Sequence, residues 1–190
     1  MAIGVGLGSE LAVFGALLHM TYHSLAKPVS FFSAGTIAQL HGSSDFDRIG
    51  RGTIGRAPIA SALFVLAAVM VTGSPPFGLF FSEMTILRAG FTGPHVGVTA
   101  VFLAALVVLF CGFAYQVGRL VLGPQPASAS GFGAASSDAA AGVTAAPERF
   151  DLALGTAIAA AIIAIVSAFY LPGPLMALIR AATNVVWRGL

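Results

Sequence analysis

The chain has 190 residues, 57% of them apolar and only 8% charged, with a net charge of +2. Soluble domains carry about 25% charged residues, and so little polar surface cannot cover a water-soluble globule. A soluble enzyme or binding domain is therefore excluded, and the solvent is the lipid bilayer. The pI near 9.1 reflects a few loop arginines, not a nucleic-acid-binding face, so no nucleic acid partner is expected. A single cysteine, Cys111, excludes an internal disulfide and a cysteine-based metal cluster. Lying in an apolar run, it reads as a small buried hydrophobe.

Residues 1–8 are glycine-rich and read as a loop. They show neither a basic n-region nor a cleavage site, so the first hydrophobic helix is expected to serve as the insertion signal. Ser9 is a natural helix N-cap, and Glu10 then falls in the first turn, where the helix dipole favours an anion. The first helix is expected from about Ser9 to Leu40, with an interruption and kink at Pro28. The stretch from His41 to Arg56 holds Asp45, Asp47, Arg48, Arg51 and Arg56 and reads as a polar loop.

A second helix is expected to start near Pro58, break at Gly73-Ser74-Pro75-Pro76, and resume from Phe77 to about Arg88. The halves make one discontinuous span. A third helix is expected from Val96 to Leu122. Residues 123–149 are rich in Ala, Gly, Ser and Pro and read as a flexible linker with too few bulky apolar groups to pack a core. A fourth helix, from about Phe150 to Tyr170, is long enough to cross a hydrocarbon layer of ~30 Å, and Pro172 and Pro174 are expected to end it. In the tail from Leu175 to Leu190, Arg180, Asn184 and Arg188 form a polar stripe opposite Leu178, Ile179, Val185 and Val186. With Trp187 as an anchor, this predicts an amphipathic helix on the membrane surface.

The expected fold is thus an all-α integral membrane bundle of about four transmembrane helices, one discontinuous, plus a C-terminal amphipathic helix. It divides into 1–122 (three spans), the 123–149 linker, and 150–190 (last span and surface helix). Arg48, Arg51 and Arg56 place the first loop in the cytoplasm by the positive-inside rule. The linker, flanked by Arg119 and Arg149, follows, which leaves the tail outside despite Arg180 and Arg188.

Ionisable groups at bilayer depth cost about 2.5–3.5 kcal/mol each on insertion scales and so require a reason. The candidates are His19, His23, Lys27 and Glu83. The first three recur every fourth residue, share one helix face, and spread over about 12 Å of axis. Imidazole accepts and releases protons near neutral pH, so the ladder has the form of a proton relay, with Ser24, Ser30 and Ser33 adding hydroxyls. Two other readings stay open. His-x3-His is zinc-ligand spacing, but Lys27 would repel a cation and no third ligand is near in sequence, so no metal is expected. The histidines could also be structural, bonded to their own helix. Glu83 follows the Pro75-Pro76 break by two turns, and broken helices are tolerated where their free backbone groups face protein or water, as at transporter ion sites. A Glu83–Arg88 surface pair is the plainer alternative, at a spacing poor for a helix pair.

The run His19-Met-Thr-Tyr-His23-Ser-Leu-Ala-Lys27-Pro-Val-Ser-Phe-Phe-Ser-Ala-Gly35 resembles the H-x3-H-x3-K helix of the antiporter-like subunits. These occur in respiratory complex I, Mrp sodium/proton antiporters and membrane-bound hydrogenases. The run Gly73-Ser-Pro-Pro-Phe-Gly-Leu-Phe-Phe-Ser-Glu83 is similar to that family's broken helix with its charged residue. Within the family it looks most like hydrogenase-4 component F and the formate hydrogenlyase membrane subunits. The resemblance implies that Lys27 and its histidines belong to a central hydrophilic axis and Glu83 to a terminal exchange site toward the periplasm. Such subunits usually have fourteen helices in two inverted repeats, and this chain corresponds to the last four. The resemblance thus implies partners: membrane subunits supplying the preceding helices, and a hydrogenase-like or complex-I-like peripheral arm.

The function expected is proton translocation within a hydrogenase-like or NADH:quinone oxidoreductase-like complex, in a bacterial or archaeal inner membrane. The chain shows no cluster ligands and no flavin, nucleotide or quinone motif, so no cofactor is expected and redox chemistry falls to partner subunits. An Mrp-type sodium/proton antiporter subunit and a structural membrane anchor are the rival readings.

Overall fold

The computed structural model describes residues 1–42, 53–55, 57–123 and 152–189. The charged positions Asp45, Asp47, Arg48, Arg51 and Arg56, and the 123–149 linker apart from Gly123, lie outside the described residues. All regular structure among the described residues is helical: α1 (Ala2–Gly6), α2 (Glu10–His41), a 3-10 turn (Thr53–Gly55), α3 (Pro58–Val71), α4 (Gly78–Thr92), α5 (Val96–Leu122), α6 (Leu152–Phe169) and α7 (Gly173–Arg188).

The helix boundaries follow local chemistry. Ser9 has extended backbone angles, and its hydroxyl accepts the Ala12 amide at 3.2 Å, capping α2. At the other end Gly42 takes the left-handed conformation, φ 64°, and closes the last turn. Between them α2 runs 32 residues without interruption, so the expected break at Pro28 does not occur. Pro28 removes one backbone donor, but its neighbours Ala26 and Val29 are buried against other helices, and that packing holds the helical path. The first eight residues also differ from expectation. Ala2–Gly6 is a helical turn folded back on α2, where Gly4 lies against the Ala12 carbonyl, Ala16 and Ile86.

α2 is the central rod, and α3, α4, α6 and α7 all pack against it. Small residues set the approach of these helices. Ala67 and Ala161 meet Val29 in one cluster. Ala26 and Ala164 meet Met70 and Leu79 in another. Without a hydrophobic driving force between helices in lipid, close van der Waals packing of this kind holds a bundle together. At one end Ile37, Phe64, Val121 and Leu154 gather the ends of α2, α3, α5 and α6. There the buried Thr53 and Ser61 hydroxyls bond each other at 3.0 Å.

α5 and α6 are long and apolar enough to cross a membrane, by length and composition. Among the described residues, the buried positions of α5 are Thr99, Val117, Leu120 and Val121. Most of its apolar surface faces outward, and Cys111 is exposed there, not buried. An apolar run in lipid need not turn inward, which reverses the rule used for Cys111. The tail forms α7, but it starts earlier than expected. Pro172 is its N-cap and Pro174 lies in its first turn, where a missing amide costs nothing. Ile179 and Thr183 are buried, while Arg180 and Asn184 are exposed.

Candidate functional site

The site is built where α2 crosses α4. The α-helical register puts His19 and His23 one turn apart, and their ring centroids are 5.7 Å from each other with the planes tilted by 33°. His19 Nδ1 lies 3.1 Å from Ser82 Oγ on α4. The Ser82 hydroxyl donates to the Leu79 carbonyl at 2.7 Å. A hydroxyl has one proton. In the tautomer that carries its proton on Nδ1, His19 donates to Ser82 Oγ while Ser82 donates to Leu79, both contacts are satisfied, and Nε2 is left as the acceptor.

Glu83 is the next residue on α4 and is 7% exposed. Among the described residues nothing donates a hydrogen bond to its carboxylate and it forms no ion pair, so Arg88 is not its partner. The carboxyl group folds back onto the helix break. Gly73 has φ 69°, and a Cβ there would collide with the Glu83 carboxyl. Glycine therefore satisfies two demands at one position: a left-handed backbone and room for the carboxylate. The break also includes a cis peptide between Pro75 and Pro76. A second glycine, Gly78 at the start of α4, lies under the Tyr22 ring, which a side chain there would displace.

The structure thus brings His19, His23 and Ser82 together and sets Glu83 at the break. Lys27 continues the ladder one turn beyond His23 but is exposed, away from the bundle core. Two of the expected supporting hydroxyls bond the backbone of α2 itself. Ser24 donates to the Met20 carbonyl at 2.8 Å and Ser33 to the Val29 carbonyl at 2.6 Å. The Ser30 carbonyl also accepts from Ser33. The hydroxyl that does touch the ladder is Ser82, which helical spacing along α2 does not single out. The sequence does carry a signal for it: a serine beside a carboxylate, just after a proline break.

A carboxylate thus lies buried just after a helix break, beside the serine whose hydroxyl oxygen meets His19 on the long helix. Residues 1–118 match the family described as NADH:quinone oxidoreductase/Mrp antiporter, TM, and the chain belongs to that family. It is 31% identical over 111 residues to a Na(+)/H(+) antiporter subunit of Alkalihalophilus pseudofirmus, covering 58% of this chain and 22% of that protein. It is 33% identical over 91 residues to the hydrogenase-4 component F homolog of Methylacidiphilum infernorum, covering 48% and 19%. It is 36% identical over 115 residues to an NADH-quinone oxidoreductase subunit of Desulforudis audaxviator, covering 57% and 21%. The matched region spans about a fifth of the length of each of these relatives.

Proposed function

We propose that this chain forms the C-terminal portion of a proton-translocating membrane subunit and crosses the membrane four times. In this reading α2, the α3–α4 pair, α5 and α6 are the spans and α7 lies at the surface. The observation that carries the proposal is the His19–Ser82 hydrogen bond, which joins the ladder on α2 to the helix that bears Glu83. A proton enters at Lys27 on the exposed side of α2, passes to His23 and then to His19 through a bridging water. It leaves through Glu83, whose carboxylate sits against the break, where free backbone groups and water can accompany it. Ser82 holds the His19 ring so that Nε2 is the receiving atom. Ser24, Ser30 and Ser33 support the ladder by fixing its helix, not by carrying the proton.

The energy for this transfer comes from redox partners of a hydrogenase-like or NADH:quinone oxidoreductase-like complex. That context rests on the similarity to the hydrogenase-4 component F homolog and to the NADH-quinone oxidoreductase relative. A second reading is favoured by the similarity to the Na(+)/H(+) antiporter relative: exchange of sodium for protons with no redox arm. Gentle purification from native membranes, followed by mass spectrometry of what travels with the chain, separates the two. Hydrogenase or complex-I-like subunits, with a polypeptide carrying the preceding helices, are expected. Recovery only with small antiporter subunits would replace the redox-driven reading by sodium/proton exchange.

A further inference from the structure

The relay leaves one built feature of the molecule unused. Where α7 lies against the start of α2, a cavity of about 520 Å³ opens between them. Glu10, Leu11 and Phe14 line it from α2, and Arg180, Thr183 and Asn184 from α7. These positions fall at i, i+1, i+4 and at i, i+3, i+4, so each trio shares one face of its helix. The Thr183 hydroxyl is committed to the Ile179 carbonyl at 2.8 Å. The charged and amide groups that line it are the Glu10 carboxylate, the Arg180 guanidinium and the Asn184 amide.

Glu10 and Arg180 carry opposite charges on facing walls, yet among the described residues they form no ion pair with each other. The cavity keeps them apart. Its floor is apolar, and Leu11 is 41% exposed. On the proposed placement of α7 at the membrane surface, where it begins four residues after the membrane-length α6 ends at Phe169, the cavity lies at the bilayer edge. A ligand that fits has a negative group for Arg180 and Asn184, a positive group for Glu10, and a hydrocarbon part for Leu11 and Phe14.

We infer that this cleft binds the headgroup of a zwitterionic aminophospholipid. The phosphate takes hydrogen bonds from the Arg180 guanidinium and the Asn184 amide, a charge-assisted pairing suited to arginine. The primary ammonium donates to the Glu10 carboxylate. An acyl chain lies over Leu11 and Phe14. An anionic lipid without the ammonium meets the Glu10 carboxylate unfavourably, so the site discriminates by headgroup and not by net attraction to arginine. A lipid seated here ties α7 to the first turns of α2.

The test uses the intact chain purified with its native partners and exchanged into nanodiscs of phosphatidylethanolamine and phosphatidylglycerol in equal amounts. Lipid retained through stepwise delipidation is counted by native mass spectrometry. The wild-type protein keeps phosphatidylethanolamine in preference to phosphatidylglycerol. Arg180→Gln lowers the retained phosphatidylethanolamine about tenfold, as expected for loss of a charge-assisted contact. Glu10→Gln moves the preference toward phosphatidylglycerol. The milder Asn184→Ala, at an exposed position, lowers retention while leaving the fold intact. Equal retention of both lipids, or variants indistinguishable from wild type, overturns the inference. So does a photo-crosslinker at position 184 that captures a polypeptide in place of lipid.

Discussion

The short contacts around His19 decide what the site can do. Ser82 is fully buried, and with its proton given to the Leu79 carbonyl it serves the Nδ1–H tautomer of His19 as an acceptor. Removing the oxygen leaves Nδ1–H without a partner in a buried place, a loss of about 1–3 kcal/mol for an unsatisfied polar group. It also frees the ring to turn and to exchange tautomers. Ser82→Ala is therefore expected to slow proton transfer by about tenfold, measured as acidification of inverted vesicles, while Ser82→Thr keeps most of the rate. Equal rates in all three proteins would remove Ser82 from the path. The ladder is legible from spacing alone, since one helix carries it. Ser82 is not, because its contact with His19 joins residues 63 positions apart, and helical periodicity says nothing about which helices cross.

Helix existence and helix ends are largely readable, because the determinants are local. The Ser9 cap, the Gly73-Ser74-Pro75-Pro76 break and the limits of Val96–Leu122 stand where residue chemistry puts them. Sequence and structure part where packing or solvent overrides local preference. Pro28 stays inside a helix because Ala26 and Val29 are held on either side of it. Cys111 faces outward because lipid accepts apolar surface that water would drive inward. The Ala2–Gly6 turn forms because Gly4 can approach α2, which no loop signal announces. The same packing gives a matched prediction on α6. Ala161 is 3% exposed against Val29 and Ala67, while its neighbour Ile162 is 57% exposed. Ala161→Phe overfills the interface and is expected to cost about 1–3 kcal/mol of stability. Ile162→Phe changes only the outer surface and is expected to be neutral. Thermal unfolding in detergent compares them, and equal melting temperatures would contradict the packing of α6 on α2.

For the molecule as a whole, α2 is both the structural axis and the carrier of the ionisable ladder. Among the described residues α1, α3, α4, α6 and α7 all pack on it, and Glu83 follows the break between α3 and α4. Family membership also bears on the exposed side. Lys27, Phe31 and Phe32 are exposed on α2. The matched relatives are about five times longer than the region they share with this chain. In our reading, membrane partners or preceding helices cover that side and deliver protons to Lys27. Passage of protons through Lys27, the histidines and Glu83 is then open to one decisive measurement. Turnover-driven acidification is followed in inverted vesicles holding the assembled complex with Lys27→Ala or Glu83→Ala, with electron transfer recorded in the same samples. Assembly is expected to persist while acidification falls to background in both variants. Acidification at the wild-type rate in both would contradict the relay.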